Sequence, residues 1–112
     1  MTKSRFLGEF EQYVILAVLR LDQQAYGSSI RQLLHDVIHR DVSIGALYTT
    51  LSRLEEKGLV ESKMGEATAQ RGGRAKKFFV VTGAGKQALQ QSRQALDAMW
   101  RDVKLAFIEV AR

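Results

Sequence analysis

The chain has 112 residues, enough for one domain or for a small domain with an accessory element. Its 17 basic and 12 acidic side chains give a formal +5 and a pI near 9.8, which points to polyanionic partners, either nucleic acid or an anionic surface. Cysteine is absent, which excludes a disulfide framework and a thiolate metal site. No apolar run reaches membrane-spanning length, and MTKSRFLGEFEQY lacks the apolar centre of a signal peptide, so a cytoplasmic protein with no membrane partner is expected.

Proline is also absent, so boundaries rest on glycine and on periodicity. GEFEQYVILAVLRLD predicts a first helix over roughly residues 8 to 22. Phe10, Val14, Ala17, Val18 and Leu21 form its core stripe, and Ile15, Leu16 and Leu19 make the other side apolar too. Such a helix is expected to be buried on more than one side. AYGSSIRQLLHDVIHRD predicts a second helix, with Ile30, Leu33, Leu34, Val37 and Ile38 on one face. The third helix starts in DVSIGALYTTLSRLEEKG. Ser43 is its expected N-cap, Leu47, Leu51 and Leu54 its core stripe, and Lys57-Gly58 its stop.

After Gly58 the period shortens. LVESKMG and KKFFVVT read as two strands, and EATAQRGGRA between them reads as a hairpin loop. A final helix of some 25 residues is expected from Gly85 onward, with Leu89, Leu96, Val103 and Val110 recurring every seven residues. Met99, Trp100, Ala106 and Phe107 lie beside that line. The predicted fold is mainly α with a small β-hairpin: a winged helix-turn-helix over 1–82, then a dimerisation helix over 83–112. Phe6, Phe10, Leu89, Leu96, Trp100, Val103, Phe107 and Val110 are the expected dimer contacts.

The charge is concentrated. Residues 67–86 hold five basic and no acidic side chains, so the remainder of the chain balances at twelve of each sign. Lys86 belongs to the last helix, which leaves Arg71, Arg74, Lys76 and Lys77 around Gly72 and Gly73 at the hairpin tip. This is the expected phosphate-contacting wing. The outer face of the third helix, opposite its leucines, presents Ser43, Gly45, Ala46, Tyr48, Thr49, Ser52 and Arg53, with no acid before Glu55. Small residues let the backbone approach a major groove, and the hydroxyls and the cation can bond phosphates or base edges. An ordinary solvated face is the competing reading, and the basic hairpin argues against it.

LGEFEQYVILAVL, AYGSSIRQLL, SIGALYTTLSRLEEKGLV and RGGRAKKFFVVTGAGKQAL together resemble the PadR family of bacterial transcriptional regulators, in register from residue 7 to about residue 90. The resemblance is to the short subtype with a single C-terminal helix. It implies a dimeric winged-helix repressor whose third helix enters the major groove, with the first and last helices building the dimer. Tyr48 matches the family's recognition-helix tyrosine, and Arg74 and Lys77 match its basic wing. The chain departs from the family at Ala67, Ala69 and Gly83, where proline is common, and at Phe78 and Phe79, where the family has tyrosines. Those phenylalanines are expected to pack on the core and not to touch DNA. The resemblance also implies a flat aromatic effector between C-terminal helices. Trp100 is first an expected interface anchor and second a stacking face for such an effector, with Met99 as its wall.

Other motifs carry less. HDVIH places His35 and His39 one helical turn apart but lacks the glutamate and third ligand of a zinc site, so no metal or other cofactor is expected. No serine sits in a nucleophile elbow, and GAGK at 83–86 reads as a turn opening a helix and not as a phosphate loop. The expectation is a non-enzymatic, sequence-specific DNA-binding regulator, a repressor released by a small molecule, acting on an inverted-repeat operator. The alternative is a winged-helix adaptor that docks a protein partner.

Overall fold

The computed structural model describes residues 6–65 and 76–107. Helix α1 (Glu9–Leu21) is followed by a 3-10 turn (Asp22–Gln24), then by α2 (Gly27–Ile38) and α3 (Ile44–Glu56). Strands β1 (Val60–Met64) and β2 (Lys77–Val81) form an antiparallel hairpin, and α4 (Gly83–Trp100) closes the chain. This is the winged helix-turn-helix with a C-terminal helix that the periodicity predicts.

The core forms where the apolar stripes converge. Val14, Ile15, Ala17 and Val18 of α1 meet Ile30 and Leu34 of α2, Leu47, Leu51 and Leu54 of α3, and Val60, Phe79 and Val81 of the hairpin. Ser43 caps α3 as its sequence predicts, its Oγ accepting from the Ala46 N–H at 3.0 Å. The end of α3 is equally determined. Gly58 takes a positive φ of 76°, its N–H reaching the Glu55 carbonyl and that of Leu59 the Leu54 carbonyl, the paired bonds of a Schellman motif. In the hairpin Val60 faces Val81 and Met64 faces Lys77, so alternate residues reach the core, and Phe79 is fully buried as expected.

Four features differ from the sequence expectation. On α1, Ile15 is fully buried while Leu16 and Leu19 on the same flank remain exposed. On α2 the stripe is cut short: Ile30 and Leu34 are buried, but Val37 and Ile38 reach solvent because the helix leaves the core in its last turn. A third short sheet edge appears at Tyr26, which bridges Phe78, with the Phe79 N–H donating to the Ala25 carbonyl. Two bridging residues are too few to leave a strand-like pattern in sequence.

The fourth is α4, which ends at Trp100 after 18 residues and does not continue through Val103 and Phe107. Thr82 caps its start, accepting from the Gly85 N–H at 3.0 Å, and Gly85 lies so close to the Leu59 carbonyl that no side chain fits there. Ala88 and Leu89 join the core, and the buried Ser92 Oγ accepts from the Leu7 N–H at 2.9 Å. Past Ser92 almost nothing on α4 is covered, and an unpacked helix is marginal in water. The last turn holds Asp97 and no base, which opposes the helix dipole, and Asp102 adopts a positive φ of 65° just past the end. Val110 lies outside the described residues.

Candidate nucleic-acid interface

The turn from α2 to α3 sets the angle at which α3 is presented. His39 closes α2 in the left-handed region (φ 55°), and the Arg40 N–H returns to the Leu34 carbonyl. Two side chains of α2 then grip the turn. Arg31 Nε donates to the Val42 carbonyl at 2.8 Å, and His35 Nδ1 lies 2.7 Å from Asp41 Oδ1. The Asp41 carboxylate raises the His35 pKa above its ordinary value by hydrogen bonding first and by charge second. No group of three or more metal-ligating side chains occurs among the described residues, and His39 serves as the helix terminator.

On α3, Ser43, Gly45, Ala46, Thr49, Ser52 and Arg53 are all exposed, on the side away from Leu47, Leu51 and Leu54. Gly45, Tyr48, Thr49, Ser52, Arg53 and Glu56 border one shallow, open groove. The Thr49 hydroxyl donates back to the Gly45 carbonyl at 2.9 Å, which leaves its oxygen free to accept. Tyr48 differs from its neighbours. Its ring is half-buried and tilted against Phe79, with centroids 6.1 Å apart. Of the two adjacent acids, Glu55 is turned toward β1, where it accepts from the Ser62 hydroxyl at 2.7 Å. Glu56 borders the groove beside Arg53 and is an acid on this surface that sequence reading stopped short of.

At the base of the wing Lys76 and Lys77 are exposed and lie over aromatic rings. Lys76 Nζ stands 4.0 Å from the Tyr26 centroid and Lys77 Nζ 5.9 Å from that of Phe79. Phe79 packs on the core as expected, whereas Phe78 is half-buried outside it and meets Tyr26 edge-on at 5.4 Å. Lys63, paired with Phe78 across the hairpin, is a further exposed wing cation. The alternation in VESKM carries that signal. Arg71, Gly72, Gly73 and Arg74 lie outside the described residues.

The residues expected at a dimer contact fall into two groups. Phe10 and Leu89 are half-buried against the chain's own core, Phe10 beneath the Arg40 guanidinium at 5.1 Å. Phe6 lies beside Gln91, Gln94 and Ala95 of α4. Leu96, Met99, Trp100, Val103 and Phe107 are exposed, Met99 to 76% and Phe107 to 75%. Across the molecule, Glu11 accepts from the Gly8 N–H and from Lys57 Nζ at 3.0 Å, joining the start of α1 to the end of α3. Burial alone would raise its pKa, but those two donors hold it below the usual value.

Comparison with known proteins agrees with this architecture. Residues 15–91 match the model of the transcriptional regulator PadR-like family. The chain is 38% identical over 82 residues to transcriptional regulator Rv3488 of Mycobacterium tuberculosis, covering 73% of this chain and 72% of that protein. It is also similar to the structure of a PadR-like transcription factor from Bacteroides fragilis (TM-score 0.66, 28% identity, 80% and 82% of the two chains covered). A PadR family transcription regulator from Clostridium difficile gives a TM-score of 0.62 at 25% identity, covering 80% and 90% of the two chains.

Proposed function

The chain belongs to the PadR-like family of transcriptional regulators, and from that premise we propose that it is a homodimeric repressor that reads an inverted-repeat DNA operator through α3 and is released by a small molecule. The observation that carries the DNA reading is the exposed face of α3, made of small and hydroxyl-bearing residues with Arg53, together with the exposed Lys76 and Lys77 at the base of the hairpin. Ser43, Gly45, Ala46, Tyr48, Thr49, Ser52 and Arg53 are the proposed groove-facing set. Lys76 and Lys77, with Arg71, Gly72, Gly73 and Arg74 just before them in sequence, are the proposed phosphate-contacting set. Base contacts select the sequence, while wing contacts add salt-dependent affinity for any duplex.

The dimer reading rests on α4. Eighteen residues make a helix of about 27 Å, of which only the first half meets the domain. Leu96, Met99 and Trp100 project apolar surface beyond it, and Leu16, Leu33, Val37 and Ile38 line an apolar groove of about 210 Å³ between α1 and α2. Burying such surfaces against a second copy removes them from water. Residues 83–112 are thus the proposed dimerisation unit, and it sets the spacing of the two α3 helices. An aromatic effector stacking on Trp100 beside Met99 shifts that spacing and releases the operator. An intact effector response in a folded dimer carrying Trp100→Ala removes the effector from this site.

A gel shift on DNA from upstream of the coding region tests the reading. The expected result is a discrete complex that survives competitor DNA and weakens steeply as salt rises. Equal competition by unrelated duplexes would overturn it.

A further inference from the structure

Gly27 is the first residue of α2, it is buried, and its φ is not positive. Its backbone therefore accepts any L-residue, and the first turn of a helix ordinarily favours alanine over glycine. What forbids a side chain is Tyr48 of the next helix. A Cβ at position 27 would lie 2.5 Å from the Tyr48 hydroxyl oxygen, 2.9 Å from Cζ and 3.0 Å from Cε2. On its other side the Tyr48 ring leans on Phe79 of β2, whose N–H bonds the Ala25 carbonyl two residues before Gly27. Tyr48 is thus seated between the start of α2 and the base of the wing, and it also borders the groove with Gly45, Thr49, Ser52 and Arg53.

We propose that Gly27 is a positioning residue for DNA recognition: its missing side chain is the space that seats Tyr48, and the seated ring sets how far α3 stands from α2 and the wing. A methyl group at position 27 has two ways out. The ring swings outward over Thr49 and Ser52, covering the groove-facing surface, or α3 shifts away from α2. Either changes the surface offered to DNA without removing one of its atoms. Gly83 provides the internal control. It is the first residue of α4, as Gly27 is of α2, and a Cβ there meets nothing within 4 Å.

This inference rests on the DNA-binding reading above, and its test separates the two. Affinity for one bound duplex is measured for the wild type, Gly27→Ala, Tyr48→Leu, the Gly27→Ala/Tyr48→Leu double variant and Gly83→Ala, with thermal unfolding of each. Gly27→Ala is expected to weaken binding about tenfold in the wild-type background and less than about twofold once Tyr48 is leucine. Gly83→Ala, at an exposed position outside the expected dimer contacts, is expected to leave affinity unchanged and the melting temperature equal or raised. Comparable losses from Gly27→Ala in both backgrounds, or no loss in either, overturn the inference alone. A wild-type protein that binds no duplex overturns the DNA-binding reading and this inference with it.

Discussion

Helices α3 and α4 are built alike on their inner sides and differ in what they leave outside. Each opens on a hydroxyl cap, Ser43 and Thr82, and each sends small or branched apolar residues into the same core. Beyond that core α3 exposes Gly45, Ala46, Thr49, Ser52 and Arg53, whereas α4 exposes Leu96, Met99 and Trp100. A face of small and polar groups loses little by staying in water and can exchange that water for the edges of bases. A row of large apolar side chains gains only when another apolar surface covers it. The same chain therefore has one helix suited to a polyanion and one suited to a protein, for which a second copy of the chain is proposed.

The largest expected effect removes what the two helices share. Phe79 is buried between α3, the hairpin and the α1 side of the core, so Phe79→Ala is expected to destabilise the fold by ~3–5 kcal/mol in chemical denaturation and to abolish DNA binding and dimerisation together. Next come changes that touch one helix only. Leu96→Glu is expected to weaken the dimer by about 2 kcal/mol in sedimentation equilibrium, while monomer stability moves by less than about 0.5 kcal/mol because the site is exposed.

On α3, Ser52→Ala or Thr49→Val is expected to alter which base pairs are preferred, by ~1 kcal/mol at the affected position. Lys77→Ala is expected instead to weaken binding to every duplex and to flatten the salt dependence by about one phosphate contact. Equal losses on all sequences from both sets would erase the division between reading and anchoring.

The smallest effect concerns the turn before α3. His35 has its pKa raised by Asp41, so the stabilisation from this contact is complete below the unfolded imidazole value near 6.5 and fades as pH rises through the higher folded value. Asp41→Asn is expected to remove that slope from the melting temperature, and a slope unchanged by the substitution would dismiss the contact. The pair is exposed, so a small change in melting temperature is expected.

Much of the fold was legible because its signals are local. The Ser43 cap, the Leu47, Leu51 and Leu54 stripe and the Gly58 stop each need only a few neighbouring residues, and all three are present in the structure. The features that escaped depend on distant partners. Nothing near Gly27 announces that Tyr48 fills its side-chain space, and nothing near Ser92 announces a bond to Leu7. The end of α4 escaped for the opposite reason. The seven-residue apolar repeat describes a surface for a partner helix and carries no signal for where an uncovered helix stops, and α4 ends at Trp100, eight residues past its last buried side chain. On the candidate site, the face of α3 followed from the 100° step, but the inward lean of Tyr48 and the contrasting directions of Glu55 and Glu56 required the packed structure.

Selection of bound sites from random duplex DNA reports recognition, symmetry and spacing of the two α3 helices in one experiment. Enrichment of an inverted repeat whose half-sites lie about one helical turn, roughly 34 Å, apart is expected if two α3 helices are joined through α4. Enrichment of a single asymmetric half-site, or of no sequence at all, would contradict the proposal.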